Sequence, residues 1–243
     1  MCRMIIACGE FSVADVIKAA RAMAAGEIIK HDGSIKQHSD GWGCLWISNG
    51  QVRVLHGDDN FVEASSRVKI LDENIEFLAV HVRHATLSKN MGVQFSHPLH
   101  RENGGISWYM MHNGFMPTVY HHLGLSVSSF DSAEYLEYIV GTIESLAGIN
   151  KEYLVNKLAQ LSPGGSSGNF FLMTQYKAWV WQWFPEQTSC AEYFTMKHYA
   201  GDKVEYISSE IIPLLGGASE WRAMQNAELY ELELREVRCE RTC

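Results

Sequence analysis

MCRMIIACG, residues 1–9, is the stretch from which the rest of the chain is read. Met4, Ile5, Ile6 and Ala7 form a short apolar run stopped by Gly9, the pattern of a buried strand. The thiol at position 2 then has two readings. Cys2 is either the first small residue of that strand, or a nucleophile that becomes the true N-terminus once Met1 is removed. Working outward, Ser12 or Asp15 opens a helix in which Val16, Ile17, Ala20, Met23 and Ala24 recur at helical spacing. GWGCLWISNGQVRVLHG (41–57) reads as a hairpin turning at Asn49-Gly50. FLAVHVRHA and GISWYMMHNG are further strands.

From Asp131 the period changes. Tyr135, Leu136, Ile139, Val140, Ile143 and Leu146 predict one helical face, and a second helix follows over 150–161. SPGGSSG (162–168) reads as a solvated loop, and GNFFLMTQYKAWVWQWF as a second hairpin. EYFTMKHYAG, KVEYISSE and AELYELELREV predict a strand-rich last third. Strand pairs, two central helices, then strand pairs again imply an α+β architecture of two sheets covered by helices. No linker interrupts it, so residues 1–243 are expected to form a single domain.

The bulk numbers exclude several classes. A chain of 243 residues buries about 70–75% of its unfolded surface and needs no disulfides for stability. Its net charge of −8 argues against a nucleic-acid or anionic-membrane partner. Its apolar runs are far shorter than the roughly 20 residues that span a bilayer. No signal peptide is visible, and Cys2, Cys8, Cys44, Cys190, Cys239 and Cys243 lack CxxC pairing. Reduced thiols in the cytoplasm are the expectation.

Chemistry is densest between His81 and Gly114. Arg83, in VRHAT (82–86), ends an apolar strand; it is either a surface ion pair or a rigid two-point grip for a carboxylate. MHNG (111–114) sets the Asn113 amide beside the Gly114 N–H, either as a tight turn or as two donors of an oxyanion hole. DSAE (131–134) is a capping box, or it offers Asp131 to a substrate ammonium. HSDGWG (38–43) makes a bend or lets a ligand approach the backbone. The histidines, including HPLH (97–100), have no metal-ligand spacing, so no metal is expected.

Taken in order, Cys2, HSDGWG, VRHAT, HPLH, MHNG and DSAE closely resemble the class II glutamine amidotransferases, N-terminal-nucleophile (Ntn) hydrolases of four-layer αββα fold. HxDGWG with HP before HNG looks most like the stand-alone members. Glutaminase domains fused to synthases, such as that of glucosamine-6-phosphate synthase, are similar but differ at DGWG. The motifs cover a little over half the chain, and DSAE departs from the family's usual Asp-Ser/Thr-Glu by the inserted Ala133.

The resemblance implies two mainly antiparallel sheets between helix layers, and no cofactor. It implies that Cys2, freed of Met1, attacks the side-chain amide of glutamine to give a γ-glutamyl thioester. Its α-amine, with an ordinary pKa near roughly 8, would exchange protons with the thiol, so no catalytic histidine is expected nearby. Asn113 and Gly114 would hold the oxyanion, Arg83 the α-carboxylate and Asp131 the α-ammonium, with Thr86 orienting that end. The Asp40–Gly43 segment would form the floor near Cys2, with Trp42 contributing apolar wall. Since 243 residues leave no room for a synthase, either a separate ammonia-accepting synthase subunit is the partner, or the enzyme hydrolyses a substituted γ-glutamyl metabolite alone. A catalytically silent glutamine-binding regulatory subunit is the alternative of another class, and a homo-oligomer is left open.

Overall fold

The computed structural model describes residues 1–70, 75–161, 165–232 and 234. The chain runs β1 (Cys2–Gly9), α1 (Val13–Ala25), β2 (Trp42–Ser48), β3 (Gln51–Gly57), α2 (Phe61–Ala64), β4 (Phe77–Arg83), β5 (Leu99–Asn103) and β6 (Ile106–Gly114). It continues through α3 (Val119–His122), α4 (Asp131–Val140), α5 (Lys151–Ala159), β7 (Gly168–Met173) and β8 (Ala178–Gln182). Last come α6 (Ala191–Phe194), β9 (Lys197–Ala200), β10 (Val204–Ser208), β11 (Arg222–Ala223) and β12 (Glu228–Leu232). One sheet has the order β11-β9-β10-β1-β4-β2-β3, the other β12-β8-β7-β6-β5. Every adjacent pair is antiparallel.

Three apolar clusters define four layers. Ile5 and Ala7 of β1, with Leu78 and Val80 of β4, pack against Val16, Ala20 and Met23 of α1. Met4 and Ile6 point the other way and meet Met111, Phe171 and Val180 of the second sheet. Beyond that sheet, Trp108, Phe170, Trp179 and Trp181 pack on Tyr135, Ile139 and Leu154 of α4 and α5. The result is an αββα sandwich. It explains why residues 4–7 are apolar without alternation: β1 is the middle strand of its sheet, with a helix on one face and a sheet on the other.

Local signals set the element ends. The Ser12 hydroxyl accepts the Asp15 N–H at 3.3 Å and caps α1, a contact worth about 1 kcal/mol. Asn49 and Gly50 both have positive φ, 52° and 70°, which the two-residue turn between β2 and β3 requires.

Three elements differ from the sequence reading. The strand β5 pairs with β6 across Gly104-Gly105, at φ 58° and 75°; this turn pair was available in the sequence as a hairpin signal. The helix expected to reach Leu146 stops at Val140, because the Asn103 amide donates to the carbonyls of Val140 (2.7 Å) and Ile143 (2.9 Å) and so satisfies that end. At the start of EYFTMKHYAG (192–201), α6 (Ala191–Phe194) forms a helical turn, and the Asn169 amide donates to the Phe194 carbonyl at 2.5 Å. Ser162–Gly164, part of AELYELELREV, Cys239 and Cys243 lie outside the described residues.

Candidate active site

β1, β4, β6 and α4 bring one end each to a small cavity of about 20 Å3, lined by Cys2, Arg83, Thr86, His97, Gly114 and Asp131 among others. A larger hollow of about 450 Å3 lies beside Cys8 and Lys203, at the far end of β1. It shares no residue with the first and gathers no comparable chemistry.

Cys2 opens β1 opposite Arg83 of β4. Its backbone N–H donates to Asn113 Oδ1 at 2.9 Å. Its carbonyl accepts from the Tyr193 hydroxyl (3.3 Å) and from Arg3 Nη1 (3.4 Å). Arg3 is itself buried, paired with Glu210 at 3.1 Å and lying 3.5 Å over the Tyr193 ring. The Cys2 backbone is thus held from both sides. Burial pushes the Cys2 thiol up, but the His81 imidazole, the N-terminal amine and the Arg83 guanidinium together outweigh it and bring the thiol down to about 6.

Asn113 is 1% exposed, and its Nδ2 has no hydrogen-bond partner. Because Oδ1 faces the Cys2 N–H, the amide cannot be turned the other way without setting donor against donor. The free NH2 is a buried, oriented donor next to Gly114 and Cys2, which line the cavity. Gly114 is required by a close approach: a Cβ there would lie 1.9 Å from the Ser167 carbonyl oxygen.

Arg83 is held by two carbonyls, those of Asn90 (2.7 Å) and Asp40 (3.3 Å), with the Phe130 ring 6.0 Å away. Among the described residues it meets no carboxylate. Asp131 is also buried and takes only the Met116 N–H, at 2.9 Å. It is the first residue of α4 and not its cap; Phe130 holds that position, and the Glu134 carboxylate accepts the Phe130 N–H at 3.2 Å. Of the capping box read from DSAE, only the Glu half forms. Two buried, opposite and unpaired charges thus border one cavity, an arrangement that favours a zwitterion. Met1 occupies part of that space: its ammonium donates to the His84 carbonyl (2.5 Å) and to Thr86 Oγ1 (3.0 Å).

HSDGWG is not brought to the cavity as a floor. Trp42 packs in the cluster under α1, donates from Nε1 to Asp59 at 2.8 Å and touches Phe61. Gly43 makes room for the neighbouring chain, since a Cβ there would lie 1.8 Å from the His97 carbonyl oxygen. Gly43→Ala should therefore lower stability by about 2–3 kcal/mol through overpacking; an unchanged urea midpoint would contradict this. His38 contacts the Tyr193 hydroxyl at 3.2 Å, and Asp40 Oδ2 accepts the Ala85 N–H at 2.9 Å. This segment therefore orients the residues around Cys2 and Arg83.

Two residues escaped the sequence reading. Tyr193 lies 191 positions from Cys2, too far for spacing to reveal. His81, two positions before Arg83 and on the same face of β4, puts an imidazole beside the thiol where none was expected. Among the described residues no group of three or more His, Cys, Asp or Glu could hold a metal ion. No described helix is long and apolar enough to cross a membrane.

Residues 15–187 match the model of the class II glutamine amidotransferases. The glutamine phosphoribosylpyrophosphate amidotransferase of B. subtilis has a similar structure, at TM-score 0.67 and 15% identity over 95% of this chain and 47% of that one. A structure described as the allosteric regulatory enzyme of purine biosynthesis gives 0.68, with the same identity and coverage. A class II domain protein from Silicibacter pomeroyi gives 0.54 at 10% identity, covering 96% of this chain and 95% of that one. The chain thus spans about half the length of the first two. No curated protein matches it.

Proposed function

This chain belongs to the class II glutamine amidotransferases, and from that premise we propose that it cleaves the side-chain amide of glutamine or a related γ-glutamyl amide through a thioester on Cys2. Removal of Met1 gives Cys2 a free α-amine beside its thiol. The sulfur attacks the amide carbon, and the carbonyl electrons move onto oxygen, which receives hydrogen bonds from Asn113 Nδ2 and the Gly114 N–H. The C–N bond breaks, and the amine leaves with a proton passed on by the α-amine. Water then attacks the thioester and releases glutamate. Arg83 binds the α-carboxylate in two-point fashion and Asp131 the α-ammonium, with Thr86 orienting them. The reaction needs no cofactor, and residues 1–243 act as one amidotransferase domain.

The observation that carries this reading is the buried, unpartnered Asn113 Nδ2, on an amide whose Oδ1 accepts the N–H of Cys2, a residue that lines the cavity with Arg83, Gly114 and Asp131. A buried donor left without an acceptor costs about 1–3 kcal/mol, and an oxyanion removes that cost only when the tetrahedral species forms. Asn113→Ala should lower kcat by about 10²–10³-fold with little change in KM. Steady-state glutamate release measures both, and a loss confined to KM would move Asn113 from oxyanion to ground-state binding.

Two fates are open to the released nitrogen. A separate synthase subunit takes up ammonia, or the substrate is a substituted γ-glutamyl metabolite that is simply hydrolysed. The test is a panel of γ-glutamyl amides offered to protein confirmed by mass spectrometry to begin at Cys2. Unaided, selective turnover of a substituted amide supports the hydrolase; slow glutamine turnover accelerated by a co-purifying synthase supports the partner. Glutamine binding with no release of glutamate from any member would favour a silent regulatory subunit and overturn the proposal.

A further inference from the structure

We propose that Tyr193 is a positioning residue for the amino-terminal nucleophile: its hydroxyl, aimed by His38, anchors the Cys2 carbonyl after Met1 has been removed. This rests on the Cys2 reading above and adds what keeps the new chain end in place. Met1 and His84 extend the β1–β4 ladder by one hydrogen-bonded pair. The Met1 ammonium donates to the His84 carbonyl (2.5 Å), and the His84 N–H donates to the Met1 carbonyl (2.8 Å). In an antiparallel ladder the next pair, Cys2 opposite Arg83, is then a non-hydrogen-bonded one. The Arg83 backbone agrees: its N–H donates to the Gly41 carbonyl and its carbonyl accepts from the Asp40 N–H, both at 2.9 Å. Cleavage after Met1 therefore removes the last ladder pair and leaves Cys2 as an overhang of one residue. The register with β10 begins at Ile5, so that neighbour does not hold it either. The Cys2 nitrogen keeps Asn113 Oδ1, at 2.9 Å. The remaining holds are on its carbonyl, from the Tyr193 hydroxyl at 3.3 Å and Arg3 Nη1 at 3.4 Å.

The hydroxyl is aimed and its ring is fixed. Burial pushes the Tyr193 phenol above its ordinary range, so Oη keeps its hydrogen and donates it to the Cys2 carbonyl. His38 Nε2 lies 3.2 Å from the same Oη, which is left as acceptor, so Nε2 carries the hydrogen of that contact. The His38 backbone N–H donates to the Ala24 carbonyl at 2.9 Å, tying HSDGWG to the end of α1. From the other side, the Arg3 guanidinium lies over the Tyr193 ring, and its Nη1 donates to the Tyr193 carbonyl at 3.0 Å. Glu210 holds the Arg3 Nε at 3.1 Å. A buried line thus runs from HSDGWG through Tyr193 to Cys2.

Holding the carbonyl fixes the Cys2–Arg3 peptide plane, and with it the Cα from which thiol and amine both project. The two groups must meet one amide, the sulfur at its carbon and the amine at its nitrogen. A displacement of about 1 Å costs up to about 10²-fold in rate. A loosened end still leaves Arg83 and Asp131 in place to bind substrate. The expected signature is a loss in kcat without a loss in KM.

The experiment compares Tyr193→Phe with the parent, each prepared both beginning at Cys2 and retaining Met1. Phe keeps the ring under Arg3 and removes only the hydroxyl. In the trimmed form, kcat for glutamate release should fall by about 10–100-fold with KM little changed. With Cys2 labelled by carbon-13 at Cα, its NMR order parameter should drop from about 0.85 to below about 0.6. In the form that retains Met1, the His84 pair holds the end, and the order parameter should stay near the rigid value. A side chain that merely supports the fold would move both forms alike. Unchanged kcat, or an order parameter that moves equally in the two forms or in neither, overturns the proposal. Should Tyr193→Phe fail to fold, His38 decides. His38→Leu removes the donor to Oη and should lower kcat about 10-fold; His38→Gln restores a donor near Nε2 and should recover most of that loss. Equal kcat in the two overturns the proposal. A trimmed parent that releases no glutamate would instead overturn the reading of the whole site, and the order parameters would still decide the positioning.

Discussion

Cys2→Ala should release no glutamate from any γ-glutamyl amide, a loss of about 10⁶-fold and in practice to the detection limit. In the proposed reaction the sulfur is the atom to which the acyl group is transferred, and none of the other described thiols, Cys8, Cys44 and Cys190, lines the cavity. Cys44 is buried in the cluster under α1, where desolvation pushes it up to about 12, and Cys8 lies at the opposite end of β1. The fold should tolerate the change, since a small buried side chain is exchanged for a smaller one at about 1 kcal/mol. The Tyr193 and Arg3 contacts use the Cys2 carbonyl, which alanine keeps. Calorimetry should therefore still detect glutamine binding through Arg83 and Asp131. Turnover above about 1% of the parent would place the nucleophile elsewhere.

Protein that retains Met1 should be equally inactive, for two separable reasons. Its Cys2 nitrogen is a peptide amide with no lone pair to offer, and its own ammonium sits on the His84 carbonyl and Thr86 Oγ1, inside the cavity proposed for the head group. Expression under an inhibitor of methionine aminopeptidase would supply this form, and later trimming with the purified peptidase would remove the residue. Activity should rise in proportion to the fraction beginning at Cys2, counted by mass spectrometry. Blocked protein should also bind glutamine poorly, which distinguishes occlusion of the cavity from loss of the amine alone. Full activity with Met1 in place would refute both.

What could be read in advance was local. β1, the capped α1, the Asn49-Gly50 hairpin and the strands bearing Arg83 and Asn113 announce themselves within a few residues of sequence. The order of short motifs then pointed to one cavity, and Cys2, Arg83, Thr86, Gly114 and Asp131 all line it. What escaped depends on residues far apart in the chain. The end of α4 is set by Asn103, 37 positions before Val140. Trp42 faces α1 because strand alternation, counted from Gly43 at the His97 carbonyl, turns it away from the second sheet. His81 gave no signal of its own, because a histidine in an apolar strand reads as core until the pairing of β4 with β1 sets it opposite Met4, on the face that Cys2 shares.

The seat of Met1 also bears on when it can be cut away. In the folded protein β1 is zipped to β10, whose residues 204–208 emerge from the ribosome some two hundred positions after the start. At about 5–20 residues per second, that leaves a peptidase roughly 10–40 s of free access to the nascent end. Once β10 docks, the scissile bond is tucked beside the Tyr193 and Asn113 contacts. Removal of Met1 from the folded protein should therefore be slower than from the nascent chain, which sets the time that the trimming experiment needs.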